Sequence, residues 1–337
     1  MHSLHTFQCE GGRCGALDSK PESPAACADR RVRSAIIGGM KLATFALLKN
    51  PNYARLGVLS GSKMLDLAQC GLSVQTMKQL LARGKPGLDE VRRFLDKPPR
   101  GTLRDFADLF LLPPIPDSDK FLCVGKNYRA HLEELKRTDL IKEMPGEPTG
   151  FVKLNSCLVG HEAEVERPAS VTHLDYEPEL VFVIGKHVHG GKKADAFDCV
   201  AGITILNDLT CRDTQKREVA SGSRFWTSKN APGFGPLGPY IITMDEVPDP
   251  YDIWVTCSVN GEQRMRVNTS DQIWKLPDII EHFSRLLPLG PGDMFSTGAP
   301  GGVAVGKPNA EARGTGSQLT GRSTQPANAF ARPSAQR

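Results

Sequence analysis

The residues able to do chemistry fall in a few short stretches. The densest is Asp175-Tyr176-Glu177-Pro178-Glu179, which runs into Leu180-Val181-Phe182-Val183-Ile184. A strand alternates its side chains between two faces. Asp175, Glu177, Glu179, Val181 and Val183 therefore share one face, and Tyr176, Leu180, Phe182 and Ile184 the other. Carboxylates two residues apart at the mouth of a buried strand repel unless something neutralises them. A hard divalent cation does so, because oxygen ligands suit Mg²⁺, Mn²⁺ or Ca²⁺. Taken alone, the stretch fits a solvated acidic strand start more simply.

Four other places bear on this one. His131 and Glu134 stand three apart on an expected helix, hence on one face. A carboxylate beside an imidazole orients the ring and favours its proton, which is the unit of a general base; a solvated surface pair is the alternative. Asp208 ends the apolar run Phe197 to Asn207, where it suits either a third metal ligand or a turn. Arg212 and Gln215 lie in the charged run 210–217, which reads as a solvated helix face or as groups that hold a carboxylate substrate. Lys229 sits in a Gly/Pro-rich loop; beside a developing enolate it would be a fixed positive charge, and elsewhere an ordinary solvated lysine.

Positioning these groups needs a sizeable core, and 337 residues can supply one. Many glycines and prolines (33 and 25) with few aromatics favour a turn-rich β or α/β protein over a helical bundle. The net charge of +4 comes from the ends: residues 307–337 hold five Lys/Arg against one Asp/Glu, and 40–306 is close to neutral. That distribution gives nucleic-acid binding little support. Nine scattered cysteines without a CxxC pair suit a reducing compartment rather than a disulfide framework. The best apolar run, Ala35 to Leu48, is broken by Gly38, Gly39 and Lys41, so no membrane span is expected. No secretory signal is read at the start, and the expected location is cytoplasmic.

Residues 1–39 read as a disordered leader. His2, His5, Cys9 and Cys14 match no zinc-module spacing. Residues 40–112 read as a small α+β N-terminal domain. It has a hairpin turning at Asn50-Pro51-Asn52, a turn at Ser60–Lys63, a helix from Val74 to Arg83 capped by Ser73, and a second helix from Gly87 to Leu95. Pro113 to Asp117 reads as a linker into a domain over 113–306. There, Phe121–Gly125 is a strand, Asn260-Gly261 turns a hairpin, and Pro277 opens a helix with Ile280, Phe283, Leu286 and Leu287 inward. Thr297–Val303 is a Gly-rich loop without a nucleotide-binding pattern. From Lys307 the periodicity stops, and residues 307–337 read as a disordered tail.

In order, Val124-Gly-Lys-Asn-Tyr128 with His131 and Glu134, Tyr176-Glu-Pro-Glu-Leu180, Asn207-Asp-Leu-Thr-Cys-Arg-Asp213, Lys229, Gly235-Pro-Leu-Gly-Pro239 and Thr297-Gly-Ala-Pro-Gly-Gly-Val303 resemble the fumarylacetoacetate hydrolase family. The branch is that of acylpyruvate hydrolases and related decarboxylases, isomerases and lyases. The resemblance implies a mixed, β-rich α+β fold: a β-roll catalytic domain behind a small N-terminal domain, assembled as a homodimer. It implies Mg²⁺ or Mn²⁺ (with Ca²⁺ as a lesser option) on Glu177, Glu179 and Asp208. It makes His131 and Glu134 a water-activating dyad and Lys229 a charge stabiliser, with Arg212, Gln215 and Thr297 on the substrate. The implied reaction is C–C hydrolysis of a 2,4-dioxo acid such as an acylpyruvate or fumarylpyruvate, with oxaloacetate decarboxylation or an isomerase, hydratase or lyase step of aromatic catabolism as alternatives. Two departures stand out. The family's Thr-Gly-Thr-Pro is Thr297-Gly-Ala299-Pro300 here, one hydroxyl fewer. The closing strands that follow the Gly-Gly-Val loop in the family are expected to give way to the tail, so an inactive, C-terminally altered member is a further alternative.

Overall fold

The computed structural model describes residues 39–137, 145–223 and 226–306, together with the backbone of 322–323. The expected leader, the cysteines and histidines within it, and nearly all of the expected tail lie outside the described residues.

A single sheet organises the chain. Lys41–Leu47 (β1) and Asn50–Ser60 (β2) form a hairpin, followed by Lys63–Asp66 (β3). The turn sits at Leu48-Lys49 rather than at Asn50-Pro51-Asn52. Pro51 lies instead in the exposed first part of β2, where its missing N–H costs little. Helices Met77–Ala82 (α1) and Gly84–Asp96 (α2) come next. Thr76, not Ser73, caps α1: its hydroxyl accepts the Gln79 N–H while the Gln79 side chain returns to the Thr76 N–H. Leu103–Asp105 (β4) and Leu109–Leu111 (β5) complete this half.

The second half adds Phe121–Gly125 (β6), helix Arg129–Arg137 (α3), Thr149–Val152 (β7) and two short strands, Leu158–Val159 (β8) and Leu174–Asp175 (β9). Pro178–Ile184 (β10), Val200–Asn207 (β11), Thr210–Cys211 (β12) and helix Arg212–Ala220 (α4) follow. Then come Gly235–Pro236 (β13), Ile241–Thr243 (β14), the hairpin Trp254–Val259 (β15) and Glu262–Asn268 (β16), helix Leu276–Ser284 (α5) and Met294–Ser296 (β17). The main sheet runs β4-β3-β2-β1-β14-β11-β10-β17-β6-β7, with β5 also paired to β1. All its pairs are antiparallel except β17 with β6.

The expected linker does not separate two sheets. β1 pairs with β14, so both halves share one sheet, and Pro113, Pro114 and Ile115 are buried. The Pro114 carbonyl accepts the Thr44 hydroxyl at 2.7 Å.

β10 is buried along its whole length because both faces are covered. Val181 and Val183 pack with Leu42, Val58 and Leu80 on the α1 side, while Leu180, Phe182 and Ile184 pack with Phe45, Ile203 and Ile280 on the α5 side. Burying a side chain such as Phe182 stabilises by about 1.5–3 kcal/mol. Helix α5 buries Leu276, Ile279 and Ile280, but it stops at Ser284. Leu286, expected inward, is 86% exposed, because Pro288 ends the helical period before it. Asn260 and Gly261, with φ of 53° and 83°, make the β15–β16 turn as expected.

Arg322–Ser323 (β18) pairs with β15 at Cys257 and Ser258, so at this point a strand stands inside the expected tail. Among the described residues, no helix is long and apolar enough to cross a membrane.

Candidate metal centre and catalytic dyad

Register builds the acidic cluster. β10 starts where β11 ends, with Pro178 opposite Asn207. Asp208 therefore lies beside Glu177, and its N–H donates to the Glu177 carbonyl at 2.8 Å. The Asn207 side chain in turn accepts the Glu177 N–H at 3.0 Å. Glu177, Glu179 and Asp208 are all buried, and each offers a carboxylate oxygen within 4.8 Å of the others.

Cations surround the cluster. The Lys229 ammonium donates to Glu177, to Asp208 and to Thr210 Oγ1. Arg212 donates to Glu177, and its Nε reaches Asp175 Oδ2 at 2.8 Å. Lys153 Nζ holds the other oxygen of Asp208 at 2.7 Å and also donates to the carbonyls of Lys229 and Phe234. Ser296 donates to Glu179.

These neighbours pull two adjacent carboxyls apart. Burial pushes Glu177 up, but the charges of Arg212 and Lys229 outweigh it and hold the group well below the usual carboxylate range. Burial pushes Glu179 up too, and there the charges of Asp208 and Glu177 add to it, so it stands well above that range. Burial alone would lower Lys229, yet Asp208 and Glu177 raise it above an ordinary lysine. Four buried carboxylates, counting Asp175, face three buried cations. Glu179 is the acid this arrangement leaves short of positive charge. An all-oxygen triad of this spacing with such a deficit fits a hard divalent ion.

His131 of the dyad faces the same cleft, which is also lined by Glu177, Glu179, Arg212 and Gln215 among others. α3 carries both of its members. His131 Nδ1 lies 3.0 Å from Glu134 Oε2, and Nε2 lies 4.0 Å from Glu177 Oε1. A carboxylate can only accept, so Nδ1–H donates to it and the Nε2 lone pair is turned to the acidic cluster. Glu134 is fixed in turn by the Gly302 N–H at 2.7 Å. That contact needs the close-packed Gly-rich loop: Gly298 has φ +90°, and a Cβ there would meet the Val124 carbonyl at 2.6 Å.

The structure brings together His131, Glu134, Lys229, Arg212, Gln215, Glu177, Glu179 and Asp208. Asp208 forms the floor rather than the lining. Thr297 does not join them: its hydroxyl donates to the Leu180 carbonyl at 3.0 Å, and Ala299 lines the cleft instead. The run expected as a possible solvated face is partly inward, since Arg212 and Gln215 are the buried residues of α4 and Arg212 Nη1 donates to Gln215 Oε1 at 2.8 Å.

Lys153 is the residue that pattern reading misses, and Asp175, which the acidic stretch includes, stands apart from the triad. Lys153 follows a short strand and carries no spacing signal. Asp175 lies on β9, paired with Thr210 of β12, and accepts the Ala304 and Val305 N–H groups at 2.8 and 3.0 Å. It is neither solvated nor one of the close oxygen triad.

The fold and the cleft together place a buried all-oxygen triad beside a His–Glu pair. Residues 120–329 match the family described as fumarylacetoacetate (FAA) hydrolase C-terminal. The chain belongs to the fumarylacetoacetate hydrolase family. It is 33% identical over 269 residues to the mitochondrial oxaloacetate tautomerase of Xenopus laevis, covering 79% of this chain and 81% of that protein. It is 36% identical over 231 residues to a human mitochondrial oxaloacetate tautomerase, covering 68% and 71%. Among solved structures, maleylpyruvate hydrolase from Sphingobium, in complex with manganese(II) and pyruvate, aligns with a TM-score of 0.64 at 27% identity, covering 78% of this chain and 90% of that one.

Proposed function

We propose that this chain is a divalent-metal-dependent enzyme that moves a proton at the carbon beside the keto group of a 2-oxo acid of the oxaloacetate type. One observation supports this above the others: the buried His131 ring, held through Nδ1 by Glu134, turns Nε2 to the acidic cluster. The likeness to two oxaloacetate tautomerases supports the substrate type.

Glu177, Glu179 and Asp208 would hold the ion, which supplies Lewis-acid stabilisation of negative charge developing on the keto oxygen. His131 Nε2 takes the proton from carbon, and Glu134 stabilises the imidazolium that results. The same proton is returned to oxygen, so keto and enol forms interconvert without loss of atoms. Lys229 and Arg212 offset the buried carboxylates beside them and so lessen the repulsion an anionic substrate meets there. Phe151, Leu135 and Val219 line the cleft with apolar surface and limit competing water.

A second reading is C–C hydrolysis of a 2,4-dioxo acid, favoured by a dyad equally able to deprotonate water and by the likeness to a maleylpyruvate hydrolase. The discriminating experiment gives the purified protein with Mn²⁺ either enol-oxaloacetate or acetylpyruvate. Accelerated loss of the enol absorbance without pyruvate release supports the first reading, and pyruvate release from acetylpyruvate supports the second. Catalysis of neither contradicts both.

A further inference from the structure

Each carboxylate of the triad offers two oxygens, and the chain answers them unequally. Arg212 donates to Glu177 Oε1, while Thr210 and Lys229 donate to its Oε2. Lys153 donates to Asp208 Oδ1 and Lys229 to Oδ2. Among the described residues Glu179 receives one hydrogen-bond donor, the Ser296 hydroxyl, and it receives it on Oε2. Oε1 of Glu179 is thus the one triad oxygen to which no described residue donates.

Register places that hydroxyl. Ser296 is the last residue of β17 and pairs with Val181 of β10. Glu179 lies two residues before Val181, on the same face of the strand, so it is a diagonal neighbour of Ser296. One residue on, the Leu180 carbonyl accepts both the Thr297 N–H at 2.9 Å and the Thr297 hydroxyl at 3.0 Å, which clamps the end of β17 to β10. Ser296 is fully buried, so its hydroxyl turns to Glu179 and not to solvent.

A hydroxyl orients a carboxylate without neutralising it. An ammonium or guanidinium at this place would answer the charge of Glu179, as Lys229 and Arg212 answer Glu177, and would compete with a bound cation. A carboxylate grips an ion through both oxygens only when both are free to turn to it. With Oε2 anchored, Glu179 has Oε1 left to offer. Ca²⁺ takes about six to eight oxygens and accepts two-oxygen carboxylate ligation, whereas Mg²⁺ and Mn²⁺ favour octahedral sites.

We propose that Ser296 is a positioning residue of the metal centre: it confines Glu179 to one-oxygen ligation, so that the centre prefers a small octahedral ion of the Mg²⁺ or Mn²⁺ kind to Ca²⁺. This rests on the metal-centre reading above.

The test titrates the full chain calorimetrically with Mn²⁺ and, separately, with Ca²⁺, and reads the ratio of the two affinities. The wild type should favour Mn²⁺. Ser296→Ala frees Oε2 and should move the ratio about tenfold toward Ca²⁺, the lower end of what losing a partner of a metal ligand does. Ser296→Cys, close in size but a weaker donor, should move it the same way. Ser296→Thr keeps the hydroxyl and should restore the wild-type ratio. Loss of packing alone would weaken both ions alike and leave the ratio where it was. An unchanged ratio in the Ala and Cys variants, each checked for native circular dichroism, overturns the proposal and leaves the metal centre standing. A wild type that favours Ca²⁺ overturns it too, and one that binds neither ion removes the centre and the proposal together.

Discussion

Asp175 and Arg212 are ion-paired in the interior, with Nη2 2.7 Å from Oδ2 and side chains only 2% and 6% exposed. The same carboxylate accepts two backbone N–H groups just past the Gly-rich loop, at Ala304 and Val305. That loop fixes Glu134 through Gly302. Asp175 thus ties Arg212 to the segment that continues from the loop holding Glu134.

Asp175→Asn should destabilise the fold by about 3 kcal/mol, because it leaves Arg212 buried with one charge partner fewer. Urea unfolding measures this. A midpoint equal to that of the wild type would show that the pair contributes nothing.

Lys153→Met should cost a similar amount, about 3 kcal/mol, since Lys153 and Asp208 are fully buried together. Saturating Mn²⁺ should narrow the gap to the wild type, because an ion on Asp208 replaces part of the lost positive charge. Urea melts with and without Mn²⁺ separate the two effects, and a gap that Mn²⁺ leaves untouched would count against an ion on Asp208.

His131→Ala should lower kcat by about 10²–10⁴-fold, the usual range for a positioned general base. Glu134→Gln should lower it less, about 10–100-fold, as an orienting partner does. Mn²⁺ affinity should hold in both variants. Steady-state kinetics with a parallel metal titration reads all three, and intact turnover in His131→Ala would remove the base from the mechanism.

Away from the cleft, Asp213 accepts from the Thr172 hydroxyl and the His173 N–H, and its Oδ1 lies 2.7 Å from His173 Nδ1. Slight burial pushes the carboxyl up, but these partners outweigh it and hold it at about 2. A depressed carboxyl stabilises the fold above its unfolded pKa of about 3.9, and that contribution is lost as pH falls through about 4 toward 2. Solvent screening keeps the effect near 1 kcal/mol or below. The difference in denaturation midpoint between wild type and Asp213→Asn should shrink between pH 5 and pH 3; a constant difference would contradict the linkage.

The strands that position the site were legible because their patterns are local. β6, β10, β11 and the Asn260-Gly261 hairpin follow from apolar runs and turn residues. The meeting of Glu177 with Asp208 was legible only as two strand ends, since the register of β10 on β11 joins residues 31 apart. Lys153 left no trace because its partners, Asp208 and two carbonyls, come from distant segments. Thr297 misled because a hydroxyl in a Gly-rich loop looks the same in sequence whether it faces a substrate or the Leu180 carbonyl. The Pro113–Asp117 stretch resembles a linker in composition, yet Pro113 and Pro114 are buried and the Pro114 carbonyl accepts the Thr44 hydroxyl of β1, which no local pattern conveys.

The central claim is that Glu177, Glu179 and Asp208 together hold one divalent ion. Isothermal titration of the full chain with Mn²⁺ tests it most directly, alongside the double variant Glu179→Gln, Asp208→Asn checked for native circular dichroism. The wild type should bind one ion per chain, and the folded double variant should lose more than about 100-fold in affinity. No Mn²⁺ binding by the wild type, or equal binding by the folded double variant, would contradict the claim.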